Sequence, residues 1–412
     1  MTRVTRRSLL IGAGGAALAP ALLKAAQPGS GAHVVVVGAG VFGAWTATEL
    51  LRRGHRVTLV EAYGPAHSRA SSGGESRMTR AGYGKDEIYT RMARDSLPKW
   101  KALSDEAGLP IFIDHGVLFF TGTPDAYFAD SVTVHRRLGM PIETLDRRQL
   151  QARFPMIDFT GVELGLFEAG FGALMARRAV QTLTDIFLQR GGKMVTGAVQ
   201  PVAAAIPTLG SIRLASGETI AADRFVFAAG PWLPKLFPDV IGARIRPTRQ
   251  EVFYFAPPAG DRRFLPGAMP GWADFNGGDV FYGFPDLESR GVKFAHDTHG
   301  VAVDPDTQDR RPSEAALAEI IAFRDLRFPA LRGAPLTSAE VCQYENSSNG
   351  DFIIDLHPAM RNVVLVGGGS GHGFKHGPEV GRQAALLALG DAEVEPRFSL
   401  ATKSIEHRRE VH

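Results

Sequence analysis

Cysteine is almost absent from this chain, whose 412 residues contain one, Cys342. A single thiol can form no internal disulfide, and it excludes a metal cluster held by several thiolates. Long apolar segments are also missing: the stretch at residues 9–23 is shorter than the roughly 20 residues that a membrane span requires, and glycine and proline interrupt it. With 44% hydrophobic and 22% charged residues, the chain is predicted to be a soluble globular protein of two domains.

Acidic residues are missing from the first 26 positions, which hold Arg3, Arg6, Arg7 and Lys24. These basic side chains outnumber the net charge of +3, so the remainder of the chain is not basic. No run of lysine and arginine with interleaved aromatic residues follows. The charge pattern therefore predicts no nucleic-acid binding.

The N-terminal sequence TRRSLL at residues 5–10, followed by the apolar stretch, resembles a twin-arginine export signal. That route carries folded proteins, which suits an enzyme that must bind a cofactor before export. Residues 1–31 are predicted to be a signal and linker, with the Tat export machinery as partner and the periplasm or another exported location as destination. An uncleaved anchor remains an alternative, because residues 24–26 match the A-x-A cleavage pattern poorly.

A glycine-rich turn follows the leader. The apolar run at residues 33–37 has the composition of a buried parallel strand, and Gly38, Gly40 and Gly43 then form a GxGxxG pattern that opens an amphipathic helical stretch. A second strand at residues 56–60 ends at Glu61. This complete context predicts a dinucleotide site, with the pyrophosphate at the helix N-terminus and Glu61 on the ribose hydroxyls.

Later segments extend this sheet and add another. Residues 225–228 and 363–366 are further apolar strands, whereas residues 245–300 are rich in aromatics, glycine and proline and alternate in character, which indicates an antiparallel sheet. The small-residue turn at residues 228–230 returns a late strand to the dinucleotide site, an arrangement that resembles the glutathione-reductase-type FAD fold. The predicted class is therefore α/β (α+β), with an FAD-binding Rossmann domain and an antiparallel-sheet substrate domain.

Three blocks carry a closer resemblance. They are SSGGESRMTR at residues 71–80, FYGFP at residues 281–285 continuing to Lys293, and CQY at residues 342–344 continuing through FIIDLHP at residues 352–358 to GHGFK at residues 371–375. In these blocks the chain resembles the monomeric sarcosine oxidase and N-methyltryptophan oxidase family of flavoprotein amine oxidases, within the D-amino-acid oxidase superfamily. We expect residues 32–112, 164–240 and 340–400 to form a discontinuous FAD-binding domain, and residues 113–163 and 241–339 the substrate domain.

Two arginines in the first block suit an anionic target. Ser72 to Glu75 matches a capping box, so a helical turn is predicted from which Arg77 and Arg80 project on one face. The resemblance implies that Arg80 and Lys375 bind the substrate carboxylate and that Arg77 lies beside the flavin ring. Arginine suits such a clamp because it stays charged and forms bidentate hydrogen bonds.

Lys293 and Cys342 take their roles from the resemblance. Strand alternation alone predicts an exposed lysine at 293, but the matching lysine of the family lies over the flavin and promotes its reaction with O2. Cys342 alone suggests a small buried hydrophobe. The family's matching cysteine is linked through sulfur to the flavin 8α carbon, so a covalent FAD is predicted here.

The glycine-rich segment at residues 367–373 follows a strand and precedes a helix predicted from Pro378 to Leu389, stopped by Gly390. Its N–H groups and the helix N-terminus would stabilise negative charge on reduced flavin. The resemblance adds Tyr282 and Tyr344 to the catalytic set. It adds to the cofactor set Ser76, Val199, Gly230, Gly371, Gly373 and Phe374, with Lys375 shared between the two sets; no metal site is predicted.

Two departures bear on the substrate. Sarcosine oxidases carry histidine at the place of Gly73 and another four residues after the lysine, where this chain has Asp297, preceded by His296. The resemblance implies oxidation of a secondary amino acid, N-methyl or cyclic, by hydride transfer to flavin N5, giving an imine and then H2O2 from O2 in a monomeric enzyme. A flavin dehydrogenase serving a periplasmic acceptor and a non-catalytic flavin-binding export protein remain alternatives.

Overall fold

A computed structural model describes residues 31–202, 206–276, 280–298 and 300–407. The predicted export signal, residues 1–30, lies outside the described residues. The α-helices are α1 (Val41–Arg52), α2 (Glu87–Ala107), α3 (Ala126–Arg137), α4 (Arg147–Arg153), α5 (Ala176–Gln189), α6 (Leu233–Leu236), α7 (Glu314–Arg327) and α8 (Gly377–Leu389).

Within the described ranges, the strands fall into four sheets. They are β1 (His33–Val37), β2 (Arg56–Glu61), β3 (Ser76–Thr79), β4 (Phe112–Asp114), β5 (Val117–Thr121), β6 (Glu143–Asp146), β7 (Leu164–Glu168), β8 (Gly172–Met175), β9 (Lys193–Thr196), β10 (Ser211–Arg213), β11 (Thr219–Ala221), β12 (Arg224–Phe227), β13 (Ile245–Phe255), β14 (Gly271–Asp274), β15 (Val280–Phe284), β16 (Val292–Asp297), β17 (Leu336–Ser347), β18 (Ile353–Leu356) and β19 (Val363–Gly367). Strands β10 and β11 form a separate two-stranded sheet.

A six-stranded sheet has the order β18-β19-β12-β1-β2-β9. All its pairs are parallel except β18–β19. Its central strands are apolar on both faces because α1, α5 and α8 cover one face and α6 with residues near 209–214 covers the other. The strands predicted at residues 33–37, 56–61, 225–228 and 363–366 are confirmed, within one residue at their ends.

An eight-stranded sheet has the order β17-β13-β16-β15-β14-β5-β7-β6 and is antiparallel except between β14 and β5. The predicted antiparallel sheet in residues 245–300 is therefore confirmed, and with it the mixed α/β class. Strand β7 joins this sheet although the predicted domain division assigns residues 164–240 to the cofactor domain. The division itself stays a prediction.

The predicted helical turn carrying Arg77 and Arg80 is wrong. Residues Ser71–Gly73 form a short 3-10 helix, and the chain then extends into β3, which pairs with β8. Backbone pairing to β8 outweighs the capping-box pattern, since a single turn has little helical stability of its own. Arg77 therefore lies on a strand, and Arg80 follows its end.

Both helices next to the glycine-rich turns end as the sequence predicts. Gly54 follows α1 with φ +86°, and Gly390 caps α8 with φ +80°, a conformation that glycine adopts without steric cost. Pro378 lies in the first turn of α8. Among the described residues, no helix has the length and apolarity to cross a membrane, and none of their His, Cys, Asp and Glu side chains cluster in threes as a metal site.

Candidate active site

The backbone around the turn between β1 and α1 leaves no room for a side chain at Gly38 or Gly43. Gly38 has φ +102°, and a Cβ there would lie 2.3 Å from the carbonyl oxygen of Ala228. A Cβ on Gly43 would lie 1.8 Å from the carbonyl oxygen of Gly38. These two contacts bring the N-terminus of α1 close to the carboxyl ends of β1 and β12, where an open parallel sheet binds its ligands.

A cavity, the glycine cavity, opens at this place. Among the residues that line it are Gly38, Gly40, Glu61, Val199 and Gly230, all predicted to bind the cofactor, whereas Gly43 packs behind the turn. Glu61 Oε2 accepts a hydrogen bond from Ala39 N at 2.7 Å, and Oε1 accepts one from Tyr63 N at 3.1 Å. The Glu61 carboxylate is thereby fixed at the end of β2.

A second cavity, the arginine cavity, has one face of the eight-stranded sheet as its floor. Strand alternation turns Glu340, Cys342, Tyr344 and Asn346 of β17 toward it. Neighbouring strands contribute Gln250 and Val252 of β13, Asp297 of β16, Val280 and Tyr282 of β15, Ala273 of β14 and Phe119 of β5. The opposite wall comes from residues 74–80 and 370–375.

Arg77 and Cys342 meet in the arginine cavity. The Arg77 guanidinium donates to the carbonyl oxygens of Ser71 and Ser76 at 2.6 and 2.8 Å, and it lies 3.4 Å from Cys342 Sγ. The two backbone acceptors hold the guanidinium in place, so its positive charge faces the thiol. Cys342 is partly exposed, which does not match the role of a small hydrophobic residue in a core.

Arg80 and Lys375 supply two basic side chains to the same wall. Arg80 donates to the carbonyl oxygen of Gly82 and packs over the Tyr83 ring, 4.1 Å from its centroid. Lys375 is 4% exposed, and its Nζ donates to the carbonyl oxygen of His372 at 2.7 Å. Burial, reinforced by the charge of Arg80, holds the pKa of Lys375 well below its usual range.

Tyr282 and Tyr344 line the arginine cavity near Asp297. Burial and the negative charge of Asp297 raise the pKa of Tyr282 to about 12 and place that of Tyr344 well above its ordinary value. Both phenols therefore keep their protons and can donate hydrogen bonds to a ligand.

Lys293 lies beneath the cavity rather than in its lining. Its Nζ donates to Ser76 O at 3.1 Å and Ser76 Oγ at 3.3 Å, and the side chain is 2% exposed. Strand alternation alone, which predicts an exposed lysine, is wrong here because β3 covers this face of β16. Burial and the charge of Arg77 lower the pKa of Lys293 to about 7.

The segment from Gly371 to Lys375 closes the cavity beside β17. A Cβ on Gly371 would lie 2.7 Å from Tyr344 Cε2, so the backbone approaches the ring closely. Phe374 stacks on Trp100 at 5.5 Å between ring centroids, and Trp100 Nε1 donates to Lys375 O at 2.8 Å. Gly373 packs against Phe42 of α1, which places the N-terminus of α8 next to that of α1.

Several site residues were missed by the sequence reasoning. Ser72 Oγ accepts a hydrogen bond from Val41 N at 3.0 Å, and Glu345 lines the glycine cavity. Strand alternation after Cys342 could have shown that Glu345 points away from the arginine cavity. It could not have shown that a second cavity lies on that side.

The residues fit FAD, a molecule with a dinucleotide end and a ring end. Neighbouring residues of one segment line the two cavities: Ser71 and Ser72 the glycine cavity, Gly74 and Arg77 the arginine cavity. The side-chain-free turn at Gly38 suits a pyrophosphate. Arg77, Cys342 and the glycine segment before α8 suit a ring that gains negative charge.

Residues 33–387 match the family model described as FAD dependent oxidoreductase. Monomeric sarcosine oxidase of Bacillus sp. (strain B-0618) is 30% identical over 86% of this chain and 92% of its own length. Peroxisomal sarcosine oxidase of Mus musculus is 32% identical over 89% and 94%, and N-methyl-L-tryptophan oxidase of Salmonella arizonae is 29% identical over 89% and 96%.

Solved structures agree on the fold. L-proline dehydrogenase from P. horikoshii superposes with a TM-score of 0.77 at 20% identity, covering 90% of this chain and 97% of that chain. Amadoriase I from Aspergillus fumigatus gives 0.73 at 21% identity, covering 93% and 91%. At these identities the likeness concerns the fold.

Proposed function

The chain belongs to the family of FAD-dependent oxidoreductases and is an amine oxidoreductase of that family, and from this premise we propose that it oxidises a secondary amino acid, N-methyl or cyclic, to an imine. When bound, FAD supplies the redox chemistry, taking two electrons from the substrate and passing them to O2 to give H2O2. The arginine cavity carries the proposal, because it unites three basic side chains, two protonated phenols and the lone thiol.

The protein would hold the two ends of FAD differently. Gly38, Gly40 and Glu61 would take the dinucleotide end, with Val199 and Gly230 beside it. Ser76, Arg77, Gly371, Gly373 and Phe374 would surround the ring. We further propose that Cys342 forms the covalent bond to it.

The substrate carboxylate would bind to Arg80 and Lys375. Arg80 is held by Gly82 and Tyr83, so its guanidinium lies at the cavity wall without a change of rotamer. A carboxylate arriving beside Lys375 would favour the charged form of this buried amine. The α-carbon and the neutral amine would then lie near Tyr282 and Tyr344, whose O–H groups orient the nitrogen.

The space around the amine substituent differs from that of sarcosine oxidases. A Cβ on Gly73 would lie 2.1 Å from the carbonyl oxygen of His67, so the backbone here tolerates no side chain. Asp297 lines the cavity. The His296 ring instead stacks on Phe281, and its Nδ1 lies 2.9 Å from Glu319 Oε2. We propose that a larger or cyclic substituent, such as that of pipecolate or proline, is accepted as well as a methyl group.

Purified protein mixed without O2 with N-methyl and cyclic amino acids tests the proposal. We expect the flavin absorbance near 450 nm to bleach with at least one of them. In air, one H2O2 should form per substrate oxidised. Bleaching without H2O2 would indicate a dehydrogenase that uses another acceptor, and no bleaching with any secondary amino acid would reject the proposal.

We also propose export through the twin-arginine route and a monomeric state. Replacement of both Arg6 and Arg7 by lysine should keep the protein, with its FAD, in the cytoplasmic fraction. Recovery of the double variant in the periplasm at the unaltered level would contradict export by this route.

A further inference from the structure

Glu345 is a buried acid at the junction of two glycine-containing segments, one at Gly230 and one at residues 367–369. A Cβ on Gly369 would lie 3.0 Å from its Oε1, and Cβ atoms on Gly367 and Gly230 would lie 3.4 and 3.7 Å from its Oε2. The residue is 8% exposed and lines the glycine cavity. Its carboxyl group therefore reaches the cavity between two closely approaching stretches of backbone.

One oxygen of this acid has no partner. Oε2 makes no hydrogen bond within the described residues, although a buried polar oxygen is normally paired. An unpaired buried carboxyl oxygen is costly unless a ligand completes its hydrogen bonding. The orphaned atom thus points to a ligand group in the glycine cavity.

The pyrophosphate of FAD brings negative charge into this same cavity. An ionised Glu345 would repel it in a region of low dielectric constant, whereas a protonated Glu345 would donate a hydrogen bond to a cofactor oxygen. We propose that Glu345 is a neutral carboxylic acid in the loaded protein and donates its proton to FAD, so that FAD uptake consumes a proton and weakens as pH rises.

The surroundings of Glu345 support a proton on it. Burial raises its pKa to about 7, against the opposing effect of the Gly369 and Gly368 N–H groups. The other titratable side chains of the glycine cavity are Glu61, Tyr63, His67, Lys235 and Asp306. Glu61 accepts from two backbone N–H groups, and Lys235 pairs with Asp304 at 2.7 Å and with Asp306. His67 is the histidine of the glycine cavity, so a variant of it serves as the control.

The test uses the full chain with Cys342→Ser, so that FAD uptake is reversible whether or not a covalent bond forms. Titration of flavin-free protein with FAD, followed by flavin fluorescence from pH 6 to pH 9, gives the dissociation constant. If only the protonated form binds, this constant rises about tenfold per pH unit above 7, or roughly a hundredfold in all. Calorimetry at pH 8 in two buffers of different ionisation enthalpy should show uptake of close to one proton.

Glu345→Gln keeps the size and a donor but cannot ionise. It should bind FAD with the affinity found at pH 6 across the whole range and take up no proton. FAD binding by Glu345→Met should also be independent of pH but weaker, because methionine donates no hydrogen bond. His67→Gln should show the same rise of the dissociation constant with pH as the parent protein. The same slope in Glu345→Gln, or binding that tightens with pH, would overturn the inference; no FAD uptake at any pH would overturn it together with the cofactor assignment.

Discussion

Strand alternation and the family resemblance predict opposite environments for Lys293. Its neighbours on β16 are apolar, so alternation alone favours an exposed amine, yet β3 covers it and Ser76 accepts its hydrogen bonds. A pKa lowered to about 7 means that its charge is present below that pH and is lost as pH rises, unless an anion nearby raises the pKa again. An oxidase would supply that anion in its reduced cofactor.

Lys293→Met separates oxidation by O2 from oxidation of the substrate. We expect the second-order rate of reaction of reduced enzyme with O2 to fall about a hundredfold, because a fixed cation no longer stabilises the developing superoxide charge. Anaerobic bleaching by substrate should persist, since Lys293 does not line the arginine cavity. Stopped-flow absorbance measures both steps. Equal loss in both would contradict the role assigned to Lys293.

Cys342→Ser tests the covalent bond. Acid-precipitated wild-type protein should give a yellow pellet, and the variant a colourless pellet with the flavin in the supernatant. The Arg77 guanidinium lies 3.4 Å from Sγ and would stabilise negative charge on the sulfur, which would favour a bond to the flavin 8α carbon. The thiol and the 8α carbon would each lose one hydrogen, and O2 would accept the two electrons to give H2O2. Intact-mass analysis should show the wild-type chain heavier by one FAD. A colourless wild-type pellet would contradict attachment while leaving bound FAD possible.

At the scale of elements, local patterns predicted the helices and strands that stand alone in sequence. Strand β1, the glycine turn, α1 and α8 follow from apolar runs bounded by glycine and proline. The strand at Ser76–Thr79 does not, because its stability comes from pairing with β8 about a hundred residues later. A local capping pattern carries no information on such a partner.

Gly43→Ala tests the closeness of α1 to the sheet. Inside a helix this change normally stabilises by about 1 kcal/mol. Here the added Cβ would lie 1.8 Å from Gly38 O, so we expect a loss of about 3 kcal/mol in unfolding free energy and loss of bound FAD. Urea unfolding and flavin content measure the two effects. Gly210→Ala is the control, since its Cβ would meet nothing within 4 Å; similar stability of the two variants would contradict the crowding.

At the scale of the whole molecule, the site is built from residues that lie too far apart in sequence for a local pattern to relate them. The arginine cavity draws on β3, on the eight-stranded sheet and on the loop before α8. The family resemblance could predict the roles of Arg80, Lys375 and Cys342, because matched motifs carry that information. It could not predict the position of Glu345, which depends on how three backbone segments pack.

The C-terminal segment is joined to the rest of the molecule by Arg397. Its Nε and one terminal nitrogen donate to Asp351 and Asp86, both at 2.7 Å, and Tyr89 donates to the same oxygen of Asp351. Asp86 and Tyr89 lie far from Asp351 and Arg397 in sequence, and Tyr89 belongs to the apolar core that also contains residues of α8. Burial by itself would lower the pKa of Arg397. The hydrogen bonds and negative charges of the two carboxylates outweigh burial, so the pKa is raised.

Arg397→Ala should therefore act on the whole fold. It leaves Asp351, which is buried, without its cation, and a charged hydrogen bond to a buried group contributes about 2 kcal/mol, so we expect a loss of about 3 kcal/mol for the pair of contacts. Urea unfolding at pH 7 measures it. Arg94→Ala removes an exposed ion pair to Asp95 and should cost under about 0.5 kcal/mol. Equal losses would mean that the C-terminal segment contributes no more to stability than a surface ion pair.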